Sequence, residues 1–235
     1  MGAPRVPRAL SPILPRVHPV VISSLLGFLV GSMPVAWVVV RLARGGDVSR
    51  EGSRNVGALN ALRVARSKWV GVGVMVLDVL KGAAAVWLAA WIFGDVDEWP
   101  LIAAALGAVA GHNYNPWLSI AQRKLVGGKG FAAAAGALLV VFPLLVPAWL
   151  GTTLLSWLLF KKSHGITDEA PASAVATLAM IPWGGLLYGM PALWFGVIVS
   201  ILCSPKIMPE LPAVFAEARA RRAVGTPPPE ASDGF

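Results

Sequence analysis

Trp69–Phe93 reads WVGVGVMVLDVLKGAAAVWLAAWIF. A helix rises about 1.5 Å per residue and the hydrocarbon core of a bilayer is about 30 Å thick, so roughly 20 apolar residues cross it. This stretch is long enough, and Asp78 and Lys81 are its only charged residues. It is read as a transmembrane helix. The two charges stand three positions apart and so share a helix face. Asp78 lies about 14 Å along the axis. Ionisable groups at such depth are costly, normally face a bundle interior or a wet cavity, and often serve function. A purely structural Asp–Lys pair is the other reading.

Composition carries this reading outward. Apolar residues make up 56% of the 235, charged residues only 14%, and mean hydropathy is +0.68. A soluble domain carries about a quarter charged residues. Further apolar segments at 18–42, 99–113, 131–142, 143–160, 170–188 and 190–203 bring the total to about seven spans. The expected fold is an all-α membrane protein, a compact polytopic bundle. Residues 1–17 read as a flexible leader, 18–204 as a single transmembrane domain, and 205–235 as a polar cytoplasmic tail that is partly disordered. The Pro- and Arg-rich leader does not match a cleavable signal peptide, and Val6 stands where a myristoylation signal needs Ser or Thr. Within the tail, Glu217–Arg222 reads as a short basic amphipathic helix.

Net charge is +8. In a soluble protein that would raise nucleic acid as a partner. Here the cations sit in short loops between apolar helices, which points to membrane sidedness and an anion-facing surface, with no nucleic acid. The loop Arg41–Lys68 carries Arg41, Arg44, Arg50, Arg54, Arg63, Arg66 and Lys68, and Asn113–Gly130 carries Arg123, Lys124 and Lys129. The loop between them, Gly94–Pro100, is acidic. Both basic loops are therefore placed in the cytoplasm at the cell membrane. The apolar stretch 131–160 is read as a hairpin breaking at Pro143 or Pro147, which puts Lys161 and Lys162 inside as well. The C-terminus is then cytoplasmic and the N-terminus outside, against the sign of Arg5, Arg8 and Arg16. Small residues recur four apart at Gly27 and Gly31, Gly107 and Gly111, and Gly185 and Gly189, a spacing that lets helix backbones approach closely. The single Cys203 excludes an internal disulfide and a multi-cysteine metal site. No metal constellation is visible, and no cofactor is expected.

Two of the loops carry chemistry. GSRNVGALNALR (52–63) offers Ser53, Asn55 and Asn60 as neutral donors and acceptors and Arg63 as a planar cationic fork. Such a loop could wrap a polyol phosphate, or be a polar turn. VGGKGF (126–131) sets Gly127, Gly128 and Gly130 around Lys129 at the start of an apolar helix, where backbone N–H groups, the helix dipole and the ammonium form an anion cradle. It is not a nucleotide-hydrolysing loop: Arg123 stands where the first glycine belongs, and Gly130 where a magnesium-binding hydroxyl belongs. His112, in GHNYNPW, could act as a general base or as a helix-end structural residue. Ser32 and Pro34 mark a polar kink inside the first span.

Taken in order, GSMP (31–34), GSRNVGALNALR (52–63), DVLKG (78–82), GH (111–112) and GGKG (127–130) resemble the acyl-phosphate-dependent glycerol-3-phosphate acyltransferases of bacterial membranes, over about residues 20–160. The resemblance implies transfer of an acyl chain from acyl phosphate to the sn-1 hydroxyl of glycerol 3-phosphate, giving lysophosphatidic acid. It implies that the GGKG glycines hold a phosphate and that Ser32, Ser53, Asn55, Asn60, Arg63, Asp78, Lys81 and His112 line the site. Acyl phosphate, glycerol 3-phosphate and membrane lipids are then the partners. The chain departs from the family pattern at Arg54 (glycine in the family), Leu59 (Thr), Leu125–Val126 (an aromatic–basic pair) and Ala133 (Thr), and residues 200–222 lack the family's His and Asn. Two readings follow: a divergent acyltransferase, or an inactive relative that binds lipid or serves as a membrane-complex subunit. A small-anion transporter would need a more symmetric arrangement or paired broken helices.

Overall fold

The computed structural model describes residues 19–94 and 98–224, all helix and connection with no strand among them. The expected leader, part of the acidic loop and the end of the tail lie outside the described residues. The helices are α1 Pro19–Gly31, α2 Val35–Arg44, α3 Ala58–Ala65, α4 Lys68–Phe93, α5 Glu98–Asn113, α6 Pro116–Gln122, α7 Phe131–Val141, α8 Leu145–His164, α9 Ala170–Tyr188, α10 Met190–Ile207 and α11 Leu211–Val224, with a 3-10 turn at Met208–Glu210 between the last two. The chain falls into two compact units that divide between Pro143 and Leu144.

In the first unit, small residues set the helix spacing. A Cβ added to Gly27 would stand 2.8 Å from the carbonyl carbon of Ala104, and one on Gly31 would stand 2.6 Å from that of Ala108. From the other side, a Cβ on Gly107 would meet Phe28 N at 2.9 Å and one on Gly111 would meet Ser32 N at 2.8 Å. The two four-residue glycine repeats of α1 and α5 therefore press on each other, the close backbone approach that packs helices in lipid. The pair α4 and α7 does the same, with Gly82 over Ala133 and Gly136 over Val79. Leu25, Leu80 and Trp87 point outward, more than half exposed. That is the reverse of a soluble surface and is what a lipid solvent permits.

In the second unit α9 packs on both α8 and α10. Gly184 lies against Ala192 and Gly196 against Met180. A polar seam crosses the α9–α10 contact, where the Ser200 hydroxyl donates to the carbonyls of Thr177 (3.1 Å) and Gly196 (2.7 Å). Phe215 of α11 packs edge-on against Phe160 and His164 at the end of α8.

Among the described residues, four helical stretches are long and apolar enough to cross a membrane: 19–44, 68–93, 170–188 and 190–224. Of the two breaks expected, at Pro143 or Pro147, the one at Pro143 is present, since α7 ends at Val141 and α8 begins at Leu145 with Pro147 inside it. The loops 41–68 and 113–130 each fold a short helix, α3 and α6. Two readings need correction. The tail helix is longer than its charged patch and starts at Leu211. The Gly185 and Gly189 repeat is not a packing stripe: Gly189 ends α9 at φ +78° with open space around it, and its role is to turn the chain.

Candidate active site

All of the singled-out residues fall in the first unit. The site begins at the interruption of α1. Pro34 has no N–H and blocks helical continuation, so carbonyls around Ser32 and Met33 lose their helical partners. In lipid each must find another. The Ser32 hydroxyl donates to Leu29 O at 2.8 Å. Asn115 Nδ2 donates to Ser32 O at 2.5 Å, and Lys81 Nζ donates to Met33 O at 3.1 Å. Trp117 Nε1 donates to the Ser32 hydroxyl at 3.0 Å. The other end of the Asn115 amide caps α6, its Oδ1 accepting from Leu118 N at 3.1 Å. The kink is thus pinned by residues 48 to 85 positions away in sequence.

Beneath it lie Asp78, Lys81 and His112, 1%, 7% and 6% exposed. Lys81 Nζ is 2.8 Å from Asp78 Oδ1, and His112 Nδ1 is 3.6 Å from the same oxygen. The two charges expected to avoid lipid do so by pairing inside the unit. Lys81 has two partners, the carboxylate and the Met33 carbonyl.

The glycine loop joins this cluster through His112. Gly128 N donates to His112 O at 3.0 Å, and a Cβ on Gly128 would stand 2.6 Å from His112 Cδ2. Gly130 caps α7 at φ +81°, a left-handed conformation that favours glycine. Lys129 is half-buried between these glycines. Upstream, Ser119 holds the loop entry, its hydroxyl accepting from Val126 N at 3.0 Å and donating to Val126 O at 3.2 Å.

The first basic loop is folded around Asn60. This buried amide donates to Val48 O (2.8 Å) and Glu51 O (3.0 Å) and accepts from Ser53 N (2.9 Å). Its polar atoms face the loop's own backbone. Ser53 and Arg63 are exposed, and Asn55 is half-buried beside Gly57. Val56 N donates to Gly127 O at 3.1 Å, and Gln122 Nε2 to the Ser49 hydroxyl at 2.5 Å, so the two basic loops are stitched together. Ser32, Asp78, Lys81, His112 and the GGKG loop are therefore one connected group, with the 52–63 loop joined to it at Val56. Sequence reasoning passed over Asn113 and Asn115 and did not place Trp117 in the site. The signal for Asn115 was the Asn-Pro pair, an N-cap followed by proline at the first helical position.

A family model described as glycerol-3-phosphate acyltransferase matches residues 21–210. The chain belongs to the glycerol-3-phosphate acyltransferase family. It is 39% identical over 178 residues to the glycerol-3-phosphate acyltransferase of Myxococcus xanthus, covering 74% of this chain and 88% of that one. Its identity to the Methylorubrum populi enzyme of that name is 34% over 194 residues, covering 82% and 89%. Its fold is similar to the crystal structure of PlsY, an integral membrane glycerol 3-phosphate acyltransferase, in the glycerol 3-phosphate form. That comparison has a TM-score of 0.63 at 27% identity and covers 88% of this chain and 94% of that one. The lysophosphatidic acid form of PlsY compares at a TM-score of 0.62. The chain is thus a helical membrane protein of the glycerol-3-phosphate acyltransferase family. Arg54 has φ +61°, a left-handed conformation that favours glycine.

Proposed function

We infer that this protein transfers an acyl chain to glycerol 3-phosphate in the membrane, with acyl phosphate as donor and lysophosphatidic acid and inorganic phosphate as products. The sn-1 hydroxyl oxygen attacks the acyl carbonyl carbon, the bond from that carbon to the phosphate oxygen breaks, and the hydroxyl proton leaves to an acceptor. Acyl phosphate is already activated, so the catalyst must position the substrates and neutralise the phosphates. The observation that carries the reading is the GGKG loop with Lys129 at the start of α7, joined to the buried Asp78–Lys81–His112 group. Family membership supports the catalytic reading over a lipid-binding relative without activity. Gly127, Gly128, Lys129 and Gly130 are assigned to a substrate phosphate, Ser53, Asn55 and Arg63 to the rim of the site, and Asn60 to the loop that presents them. Ser32, Asp78, Lys81 and His112 form its inner wall.

The basic loops support a cytoplasmic active face, where glycerol 3-phosphate is dissolved. The test is purified protein in lipid bilayers given glycerol 3-phosphate with acyl phosphate or, in a parallel arm, acyl-CoA. Lysophosphatidic acid formed from acyl phosphate is expected. Product from acyl-CoA alone would overturn the donor, and no product in either arm would overturn the activity.

A further inference from the structure

The last two residues of α5, His112 and Asn113, lie against all three glycines of the loop. Gly128 lies against the His112 ring, as described, and a Cβ there would also stand 2.9 Å from Val56 O, so the ring supplies the tighter of its two walls. A Cβ on Gly127 would stand 2.5 Å from the carbonyl carbon of Asn113 and 2.8 Å from His112 O. One on Gly130 would stand 3.1 Å from Asn113 Cγ and overlap its Oδ1. Gly130 alone of the three has a left-handed φ, so space, not backbone angle, demands glycine at 127 and 128. On the opposite side of the His112 ring stands Asp78, itself fixed by Lys81. Asn113 is fully buried.

We propose that His112 and Asn113 are positioning residues that shape the glycine loop into an anion cradle, with Asp78 and Lys81 bracing the His112 ring. This rests on the acyl-transfer reading. It gives His112 a role different from general base: Nδ1 faces Asp78, Nε2 faces Gly128, and the ring is almost closed to solvent. A base must reach the substrate proton, whereas a mould must only hold its shape.

The test compares wild type, His112→Gln, His112→Ala, Gly128→Ala and the double variant Gly128→Ala/His112→Ala in bilayers, with glycerol 3-phosphate varied across pH. His112→Gln is expected to raise KM for glycerol 3-phosphate roughly tenfold, change kcat less than about threefold, and leave the pH profile of kcat in place. A fall in kcat of about 10²–10⁴, with KM unchanged and one limb of the pH profile lost, would make His112 the base and overturn the proposal. Gly128→Ala is expected to lose roughly a hundredfold in kcat/KM, and removing the ring in the double variant to restore about threefold or more, the Val56 carbonyl still crowding the added methyl. Additive losses would overturn the mould. If Gly128→Ala does not fold, the double variant is expected to recover folded protein on size-exclusion chromatography, and its failure to do so would equally overturn it. Should wild type form no lysophosphatidic acid, the acyl-transfer reading fails by itself. The packing of His112 on Gly128 is then judged by folded yield alone.

Discussion

Position 54 holds an arginine in the left-handed region, φ +61°. A side chain there costs roughly 1–2 kcal/mol, partly offset by the greater freedom glycine has in the unfolded chain. Arg54→Gly should therefore stabilise the protein by about 0.5–1 kcal/mol, read as a higher unfolding midpoint in detergent. A lower midpoint would mean that the arginine makes a compensating contact. Asp78 and Lys81 show the opposite kind of constraint, a charge pair that each partner makes tolerable. Asp78→Asn alone leaves the Lys81 ammonium without its counter-ion and should cost about 3–5 kcal/mol, whereas Asp78→Asn with Lys81→Met removes both charges and should cost much less. Equal losses in the single and double variants, by chemical denaturation, would contradict the pairing account. The double variant loses the cap on Met33 O, so recovery should be incomplete.

Helices show where sequence was legible and where it was not. The long apolar runs announced α4, α5 and α9 almost to their ends and α1 with α2 as one kinked span, because burial in lipid requires length and hydrophobicity and little else. Pro143 announced its break for the same local reason. The helices α3 and α6 did not announce themselves. They are 8 and 7 residues long, and tertiary partners hold them: Asn60 binds the loop before α3, and Asn115 ties α6 to the α1–α2 kink. Site residues followed the same rule. Asp78 and Lys81 stood out as charges in an apolar helix, whereas Asn113 and Trp117 act through distant partners that no local pattern reveals. Asn115 offers a test at this scale. Asn115→Asp keeps an oxygen to cap α6 but loses the donor to Ser32 O, and Asn115→Ala loses both. The aspartate variant should be destabilised by about 1–3 kcal/mol despite its intact cap. Wild-type stability in that variant would show that the kink does not depend on this bond.

At the scale of the whole molecule, the claim is that two basic loops far apart in sequence make one anion-binding face. The bonds Val56–Gly127 and Gln122–Ser49 join them. Both should then lie on the cytoplasmic side, and cysteines placed near Arg50 and near Lys124 should resist a membrane-impermeant thiol reagent in intact cells and react after permeabilisation. Labelling of either from outside would reverse the topology. The central claim is narrower: the glycine loop holds a substrate phosphate with Lys129. The direct measurement is equilibrium binding of glycerol 3-phosphate to wild type and Lys129→Ala in lipid nanodiscs. Loss of a charge-assisted hydrogen bond of about 1.5–3 kcal/mol should weaken binding roughly 10- to 150-fold with the fold intact. Unchanged affinity in a folded Lys129→Ala protein would contradict it.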